Sequence, residues 1–568
     1  MAHPSLAYEI QSGYDDGKRL FEPPEVVDSG VSALATVIRL IPSMASRQDI
    51  QKRKITKEFD QSVLSADSFA EWQELAEDYD RQTGGALWRE KDESSLYDAA
   101  SISTRLKRLR RLRKAGNNDG LLFALSEGIH GNMAGMGNAK LYQKARAGTK
   151  VLIGDYIDEI CDALTYFSPR SFKGISWPDR VEFFQGASHC YGRSALMLSG
   201  GGTLGYFHFG VLKVLIEQKL CPVVISGASA GAFVAAIVGS RSDEEFLALF
   251  DNNTLARALT ENSDSISIGF GMSEKIDMRS IKREMAKLIP DMTFKEAYEK
   301  TGRSINISIS PAEPRQTSRL LNHIASPNVT LRSAVLASTA LPGVFQPVQL
   351  EARNADGEIK PYLPSRRWID GSFSQDLPAK RLARMFAVNH FIVSQVMPGL
   401  GRETSARPGL RKIVSDASVA ATKQIVRGYL DFFQRYGKVG PQMGTGMNAI
   451  NALLDQQFTG DINIFPGYGL SSLGKLLKMM SEEEMVDLIK AGERATWPKV
   501  PIISLTTRIG RTLDGILRSV ETNEAYWLRT ARKKGPSREA TTRRSDKSDS
   551  KKPSAAILKQ KPTKRSAA

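Results

Sequence analysis

Cysteine is scarce in this sequence, and the spacings that hold metals are absent from it. The 568 residues include three cysteines, Cys161, Cys190 and Cys221. Their number is odd and they follow no framework spacing, which argues against structural disulfides and for a reducing compartment. No zinc-type spacing of cysteine and histidine occurs either. We therefore expect an intracellular, cytoplasmic protein that needs no metal and no other cofactor.

Long apolar runs are lacking as well. A membrane-spanning helix needs roughly 20 apolar residues, and the N-terminal candidate, residues 31–41, is about half that length and contains Arg39. Acidic residues and prolines precede it, unlike the basic start of a signal peptide. Residues 31–41 therefore predict a short helix packed on the body of the protein, with a monotopic membrane anchor as the alternative.

Acidic residues are outnumbered, but the imbalance is local. The net charge is +16, and residues 531–568 contain 13 Lys and Arg against 3 Asp and Glu, so this tail supplies +10. A basic tail on a mildly basic body argues against a nucleic-acid-binding fold. Beyond Trp527 the composition becomes Lys, Arg, Ser, Thr and Pro without further aromatics, which predicts disorder. The tail is expected either to attach weakly to anionic lipid or to act as a solubilising end.

A glycine-rich turn follows the first predicted buried strand. Residues 194–198 are a short apolar run, residues 200–205 read GGGTLG, and residues 206–220 have helical periodicity. Such a turn leaves backbone N–H groups free at a helix N-terminus, where a phosphate or the oxyanion of an acyl-transfer transition state could bind. The pattern also fits a dinucleotide fold, which requires an acidic residue at the tip of the next strand. That strand, residues 223–226, has no acidic residue at its tip, which favours the oxyanion interpretation.

A second turn of small residues, Gly227-Ala228-Ser229-Ala230-Gly231, follows that strand. A nucleophile on a sharp strand-to-helix turn brings neighbouring backbones close together, so the positions two before and two after it must lack bulk. Gly227 and Gly231 meet this requirement. The turn also places Ser229 at the positive N-terminus of a helix. We predict that Ser229 is a nucleophile.

An Asp-Gly pair, Asp370-Gly371, follows a further short strand. It places a carboxylate where a sheet meets solvent, although such a pair by itself is most often only a turn. His390 follows Ser229 and Asp370 in the chain order of a Ser–Asp–His triad. It opens an apolar strand, however, whereas a catalytic histidine usually lies on a loop. We therefore predict a structural role for His390, and His208 is predicted to pack on its helix.

Taken in this order, the three motifs resemble the patatin-like phospholipase family over roughly residues 194–398. The resemblance implies an α/β fold, a three-layer α/β/α core around a mostly parallel central sheet. It implies a Ser–Asp dyad in which Ser229 is the nucleophile and Asp370 its general base. Amides of Gly200, Gly201 and Gly202 would form the oxyanion hole, and the other motif glycines would be Gly205, Gly227, Gly231 and Gly371.

The flanks of this core resemble intracellular triacylglycerol lipases of the same family. The matching residues are Trp72, Trp88-Arg89, His130-Gly131-Asn132 and Gly148-Thr149-Lys150 before the core, and Gly460-Asp461-Ile462 and Trp497-Pro498 after it. The resemblance implies a helical, DUF3336-type region ahead of the core. The implied organisation is an N-terminal segment (1–60), a helical domain (61–170), a catalytic domain (190–400), a C-terminal helical extension (401–530) and a disordered basic tail (531–568).

Residues 105–114 predict a very basic helix with a narrow stripe of leucines, Leu106, Leu109 and Leu112. We expect the leucines to face the core and the cations to face solvent. The alternative is a helix that lies on an anionic membrane surface.

The motifs and the resemblance together predict a serine lipid acyl hydrolase. It would release fatty acids from glycerolipids, either triacylglycerol or phospholipid, through an acyl-enzyme. The alternative is a non-catalytic lipid- or nucleotide-binding scaffold that retains the glycine turn. The expected partners are the glycerolipid substrate and, peripherally, a lipid droplet or membrane surface, with no nucleic acid. The sequence gives no prediction of the oligomeric state.

Overall fold

The computed structural model describes residues 47–129, 131–260, 278–313, 316–340, 346–371, 377–396, 460–467 and 480–534. The chain divides into two compact units, Met1–Ser62 and Val63–Ala568. A polar helix, α1 (Arg47–Ser65), contains the described residues of the first unit. The predictions for residues 31–41, for residues 401–459 and for the tail beyond residue 534 lie outside the described residues.

A group of helices precedes the sheet in the second unit. They are α2 (Phe69–Thr83), α3 (Gly85–Glu90), α4 (Ala99–Lys114), α5 (Asn118–Gly128), α6 (Val151–Phe167) and α7 (Trp177–Tyr191). Side chains that accept first-turn N–H groups fix the helix starts, such as Ser68 at α2 and Asp98 at α4. One cluster of buried side chains, which includes Tyr156 and Phe184, joins α4 through α7. The helical N-terminal region predicted from the sequence is confirmed.

The basic helix α4 faces its leucines inward, as predicted. Leu106 and Leu109 are buried in the helical cluster, so they are not available to a membrane surface. The cations of α4 are not simply solvated. Arg113 makes a two-point contact with the Glu159 carboxylate of α6, at 2.7 and 2.9 Å, and this planar fork-to-carboxylate geometry is a strong form of ion pair.

The strands form a seven-stranded sheet and a separate hairpin within the described residues. They are β1 (Arg193–Leu198), β2 (Val224–Gly227), β3 (Ser304–Pro311), β4 (Arg319–Leu321), β5 (Leu350–Arg353), β6 (Ile359–Tyr362), β7 (Trp368–Asp370), β8 (Val388–Ser394) and β9 (Ile462–Ile464). The sheet order is β4-β3-β2-β1-β8-β9, and β7 also pairs with β3. Within this sheet the pairs of β3 with β4 and with β7 are antiparallel, and the other pairs are parallel; the separate hairpin of β5 and β6 is antiparallel. The prediction of a mostly parallel sheet is confirmed.

Helices cover both faces of this sheet. The helices that the structure describes after β1 are α8 (Phe207–Glu217), α9 (Ala230–Gly239), α10 (Asp243–Leu247), α11 (Thr254–Thr260), α12 (Met278–Leu288), α13 (Phe294–Thr301), α14 (Leu331–Ser338), α15 (Ala379–Phe386), α16 (Glu482–Thr496) and α17 (Val500–Lys534). On β3, Ile305 packs against Gly239 of α9. The next residue, Asn306, bonds to Asn322, which contacts Met385 of α15. Successive strand residues point to opposite faces, so α9 and α15 lie on opposite sides of the sheet.

The last helix, α17, extends further than the sequence suggests. Disorder was expected beyond Trp527, but α17 continues to Lys534. Residues 528–534 contain neither glycine nor proline, and Gly535-Pro536 supplies the first helix-breaking pair. Side chains of α17 also belong to the buried cluster of the N-terminal helices. Within the described ranges, no helix has the length and apolar composition required to cross a bilayer.

Candidate active site

The predicted elbow around Ser229 joins the end of β2 to the start of α9. Ser229 has φ 52° and ψ −121°. A positive φ is rare for a residue that carries a side chain, and such strain costs on the order of 1–3 kcal/mol, which the surroundings must hold in place. A Cβ on Gly227 would collide with the Gly231 carbonyl, and a Cβ on Gly231 would collide with the Leu198 carbonyl. The elbow therefore closes because both of its glycines lack a side chain.

Ser229, the predicted nucleophile, is enclosed and lies where the local field favours negative charge. Ser229 is 9% exposed and immediately precedes the first turn of α9, where the helix dipole favours negative charge. Its backbone N–H donates a hydrogen bond of 3.0 Å to the Ser338 hydroxyl. That amide is thus engaged within the protein, and the donors for an oxyanion must come from other residues.

Strand pairing fixes the position of Asp370 relative to the elbow. Ile309 of β3 pairs with β4 on one side and with Asp370 of β7 on the other. Ile307 pairs with β4 on one side and with Gly227 of β2 on the other. Both β2 and β7 therefore lie along the edge of β3 that faces away from β4. Since β2 runs parallel to β3 and β7 runs antiparallel to it, the C-terminal ends of β2 and β7 point at each other.

The two ends are close and use the same face of the sheet. Gly227 and Asp370 pair with β3 at positions two residues apart, a distance of about 7 Å along the strand. Asp370 projects from the same face as its cross-strand partner Ile309. Alternation along β3 makes this the face that α9 covers, and Ser229 starts that helix. Asp370 itself is fully buried.

Gly371 allows the chain to pass close to the backbone of β3 as it leaves β7. A Cβ at this position would collide with the Ser308 carbonyl of β3. The N–H of Asp370 donates to the Ala340 carbonyl at 3.0 Å. A side chain at position 371 is therefore excluded by β3, and the buried Asp-Gly pair is more than a surface turn.

The glycine turn follows β1 and leads into a 3₁₀ turn, Gly202–Tyr206, and then α8. Gly201 and Gly202 have φ of 156° and 54°, and a Cβ on Gly201 would collide with the Val396 side chain. The turn therefore requires glycine at Gly201 and favours it at Gly202. Gly200, the first predicted oxyanion residue, lies between the end of β1 and these two positions.

The glycine turn and the serine elbow are neighbours at one edge of the sheet. Leu198 at the end of β1 pairs with Gly227 at the end of β2, so the two turns leave adjacent strands at the same level. A Cβ on Gly205 would lie only 2.5 Å from the Ala230 Cβ. The predicted oxyanion region, nucleophile and carboxylate are thus brought together at the C-terminal ends of β1, β2 and β7.

His208 fastens the start of the glycine turn to β8. Its Nε2 lies 2.9 Å from the Ser199 carbonyl, and its Nδ1 lies 2.7 Å from the Ser394 hydroxyl. A carbonyl oxygen only accepts, so Nε2 carries the proton and Nδ1 accepts from Ser394. Burial lowers the pKa of His208 from 6.5 to about 4, so the ring is neutral at physiological pH. The predicted packing role understates this residue, which also holds a strand end.

His390 lies at the other end of the strands from the serine elbow and completes no triad. It pairs with Ser194 at the beginning of β1, and its Nδ1 is 3.0 Å from the Ser194 hydroxyl. It lies four positions before Ser394 on β8, which is about 13 Å along the strand from the end that carries the elbow and the glycine turn. Burial lowers the pKa of His390. Within the described ranges, no group of three His, Cys, Asp or Glu side chains could hold a metal ion.

Sequence reasoning did not identify Ser338 at all. Ser338 and His208 are buried polar residues in largely apolar helices, and such residues need a hydrogen-bond partner. That need was the available signal, but the partners could not be read from the sequence. They lie 109 residues from Ser338 and 186 residues from His208.

This geometry defines the class of the protein: an α/β fold in which a serine elbow lies beside a glycine-rich turn. Residues 196–383 match the family model described as patatin-like phospholipase, and residues 49–189 match a domain of unknown function (DUF3336). The chain belongs to the patatin-like phospholipase family and carries a DUF3336 region ahead of its patatin domain.

Named relatives extend the similarity beyond these two regions. A patatin-like phospholipase domain-containing protein of Pyricularia oryzae is 32% identical over 494 residues, which is 80% of this chain and 62% of that protein. Triacylglycerol lipase 4 of Saccharomyces cerevisiae is 36% identical over 463 residues, 77% of this chain and 50% of the lipase. Triacylglycerol lipase SDP1L of Arabidopsis thaliana is 30% identical over 500 residues, 85% and 61% respectively. The chain spans between half and two thirds of the length of these relatives.

Proposed function

We propose that this protein is a serine lipid acyl hydrolase that releases fatty acids from glycerolipids by means of a Ser229–Asp370 dyad. The observation that carries the proposal is the strand register, in which β2 and β7 meet end to end on one edge of β3. The family membership and the triacylglycerol lipases among the relatives support the substrate class.

The proposed reaction proceeds in two halves. Asp370 accepts the proton of the Ser229 hydroxyl as Oγ bonds to the ester carbonyl carbon, and amides of the glycine turn hold the oxyanion. The carbon–oxygen bond to the glycerol then breaks, and the leaving oxygen takes the proton from Asp370. In the second half Asp370 deprotonates a water molecule, which attacks the acyl-enzyme. The fatty acid leaves, and the proton returns to Ser229.

Two substitutions test the dyad. Ser229→Ala and Asp370→Asn are each expected to lower fatty acid release by about 10³-fold or more, as removal of members of other hydrolytic triads does. Ser126→Ala and Asp356→Asn, both at exposed positions, are the matched controls and should keep wild-type rates. Wild-type turnover by either dyad variant would reject the proposal. A tight nucleotide complex without ester turnover would support the scaffold alternative instead.

Triacylglycerol is the substrate that we favour within this class, because two of the named relatives are triacylglycerol lipases. The assay is fatty acid release from emulsified triacylglycerol and from phospholipid vesicles at equal acyl concentration. Faster release from the emulsion is expected. Equal or faster release from vesicles would assign the protein to phospholipid.

A water-insoluble substrate requires contact with a lipid surface, so we also propose an intracellular protein that binds lipid droplets or membranes peripherally. The basic residues beyond Lys534 contribute to this binding, each by about 1 kcal/mol near an anionic surface. Flotation with anionic vesicles should recover the full chain, and deletion of residues 535–568 should reduce the recovered fraction. Unchanged flotation of the truncated chain would make the tail a solubilising end.

A further inference from the structure

Ser338 connects the proposed nucleophile to the central strand β3. It is the last residue of α14 and is completely buried. Its hydroxyl accepts the N–H of Ser229 at 3.0 Å and donates to the Ser308 carbonyl at 2.7 Å. One side chain therefore bridges the backbone of the elbow and the backbone of the strand.

The far end of this bridge lies between the two halves of the site. Ser308 stands on β3 between Ile307, which pairs with Gly227 at the end of β2, and Ile309, which pairs with Asp370. Its carbonyl, which accepts the hydrogen bond from Ser338, is also the group against which Gly371 packs. The Ser338 bridge thus ties the elbow to the point that sets the position of the carboxylate.

The backbone of Ser229 needs such a tie. Its positive φ is a conformation that a side-chain-bearing residue leaves unless its surroundings hold it. The direction of the Ser229 hydroxyl follows from this backbone conformation, and a displacement of about 1 Å can cost on the order of 10²-fold in rate. The amide that Ser338 holds is that of the nucleophile itself.

We propose that Ser338 is a positioning residue that holds the Ser229 elbow in register with Asp370 for acyl transfer. This inference rests on the proposed function of the Ser229–Asp370 dyad. Ser338 does not touch the reacting atoms, so it acts on the rate of attack by Ser229 and leaves substrate binding unchanged.

Ser338→Ala removes both hydrogen bonds, and Ser333→Ala is its matched control. Ser333 lies on the same helix, is equally buried, and bonds through its hydroxyl to the carbonyls of Thr330 and Glu351, away from the elbow. Both variants are expected to lower the unfolding temperature. Only Ser338→Ala should lower the rate of labelling by a fluorophosphonate probe, by about 10- to 100-fold, with a similar fall in kcat and less than about a twofold change in KM.

Two further variants keep the test decisive. Ser338→Thr retains a hydroxyl and should recover much of the labelling rate. Ser338→Cys fills the same space with a weak hydrogen-bonding group, and it replaces the alanine variant if that protein does not fold. The expected order of labelling rates is Ser, then Thr, then Cys and Ala.

The labelling experiment separates the inference from the function on which it rests. If wild type is labelled at Ser229 and Ser338→Ala is labelled at the wild-type rate, the positioning role is wrong and the dyad stands. Equal losses in Ser338→Ala and Ser333→Ala would also overturn it, because they would indicate general destabilisation of α14. Labelling of wild type at a residue other than Ser229 would reject the proposed nucleophile, and the positioning role with it.

Discussion

Acidification is expected to destabilise this protein through His208, the neutral histidine that fastens the glycine turn to β8. Its burial lowers the pKa from 6.5 to about 4. In the unfolded chain the imidazole is solvated and takes up a proton near pH 6.5. The contribution of this group to the free energy of unfolding is thus complete above pH 6.5 and is lost as the pH falls from 6.5 to 4.

The magnitude follows from the two pKa values. At pH 5, a histidine with a pKa of 6.5 is about 97% protonated, and one with a pKa of 4 is about 9% protonated. Linkage converts this difference into a loss of about 2 kcal/mol in the free energy of unfolding between pH 7.5 and pH 5. A loss of this size is a large share of the stability of an ordinary domain.

Histidine labelled with ¹³C at Cε1 provides a direct assay, because the sequence contains six histidines. The signal that disappears in His208→Asn belongs to His208, and we expect it to keep the shift of a neutral ring at pH 5. Urea unfolding of wild type should lose about 2 kcal/mol more than His208→Asn over the same pH interval. His189→Asn, at an exposed position of α7, should lose as much as wild type. A His208 signal with a titration midpoint near 6.5 would refute the reasoning.

Three further predictions concern glycine, a buried cation and the basic helix. Gly371→Ala should slow ester hydrolysis by at least about 10-fold, because the added Cβ collides with β3 and displaces the adjacent Asp370 carboxylate. Gly154→Ala, where the added Cβ meets open space, should keep the wild-type rate, and equal kcat values for the two variants would contradict the prediction. Lys150→Met should lower the free energy of unfolding in urea by about 1–3 kcal/mol, since Lys150 donates to two carbonyls at the end of α3, and an unchanged midpoint would argue against it. Leu106→Ala should lower the free energy of unfolding by about 2–5 kcal/mol, and Arg111→Ala should lower it by less than about 0.5 kcal/mol. Losses of similar size in the two variants would place Leu106 outside the core.

The two small-residue turns could be predicted from the sequence because their requirements are local. A sharp turn from strand to helix needs glycine at fixed distances from its centre, and the collisions found at Gly227, Gly231 and Gly201 are the physical form of that requirement. The mostly parallel sheet was predicted from the resemblance to the patatin-like phospholipase family, and the alternation of apolar strands with helical segments along the chain agrees with it.

The position of Asp370 could not be derived from its own neighbourhood. An Asp-Gly pair is a common turn, and its meaning here depends on which edge of β3 the strand β7 occupies. That edge is set by pairings between segments far apart in the chain. Only the resemblance to a known family indicated Asp370 in advance, and Ser338, which that resemblance did not include, was missed.

The packing of α17 has a consequence for the order in which the protein acquires its structure. Ile509, Leu513 and Ile516 of this helix complete the apolar core of α4 to α7. The core of α4 to α7 is therefore complete only after α17 has been synthesised. At translation rates of about 5–20 residues per second, the roughly 300 residues between α7 and Ile509 take roughly 15–65 s to synthesise. During that interval the nascent N-terminal helices leave the ribosome with an unfilled apolar groove, where chaperones would be expected to bind.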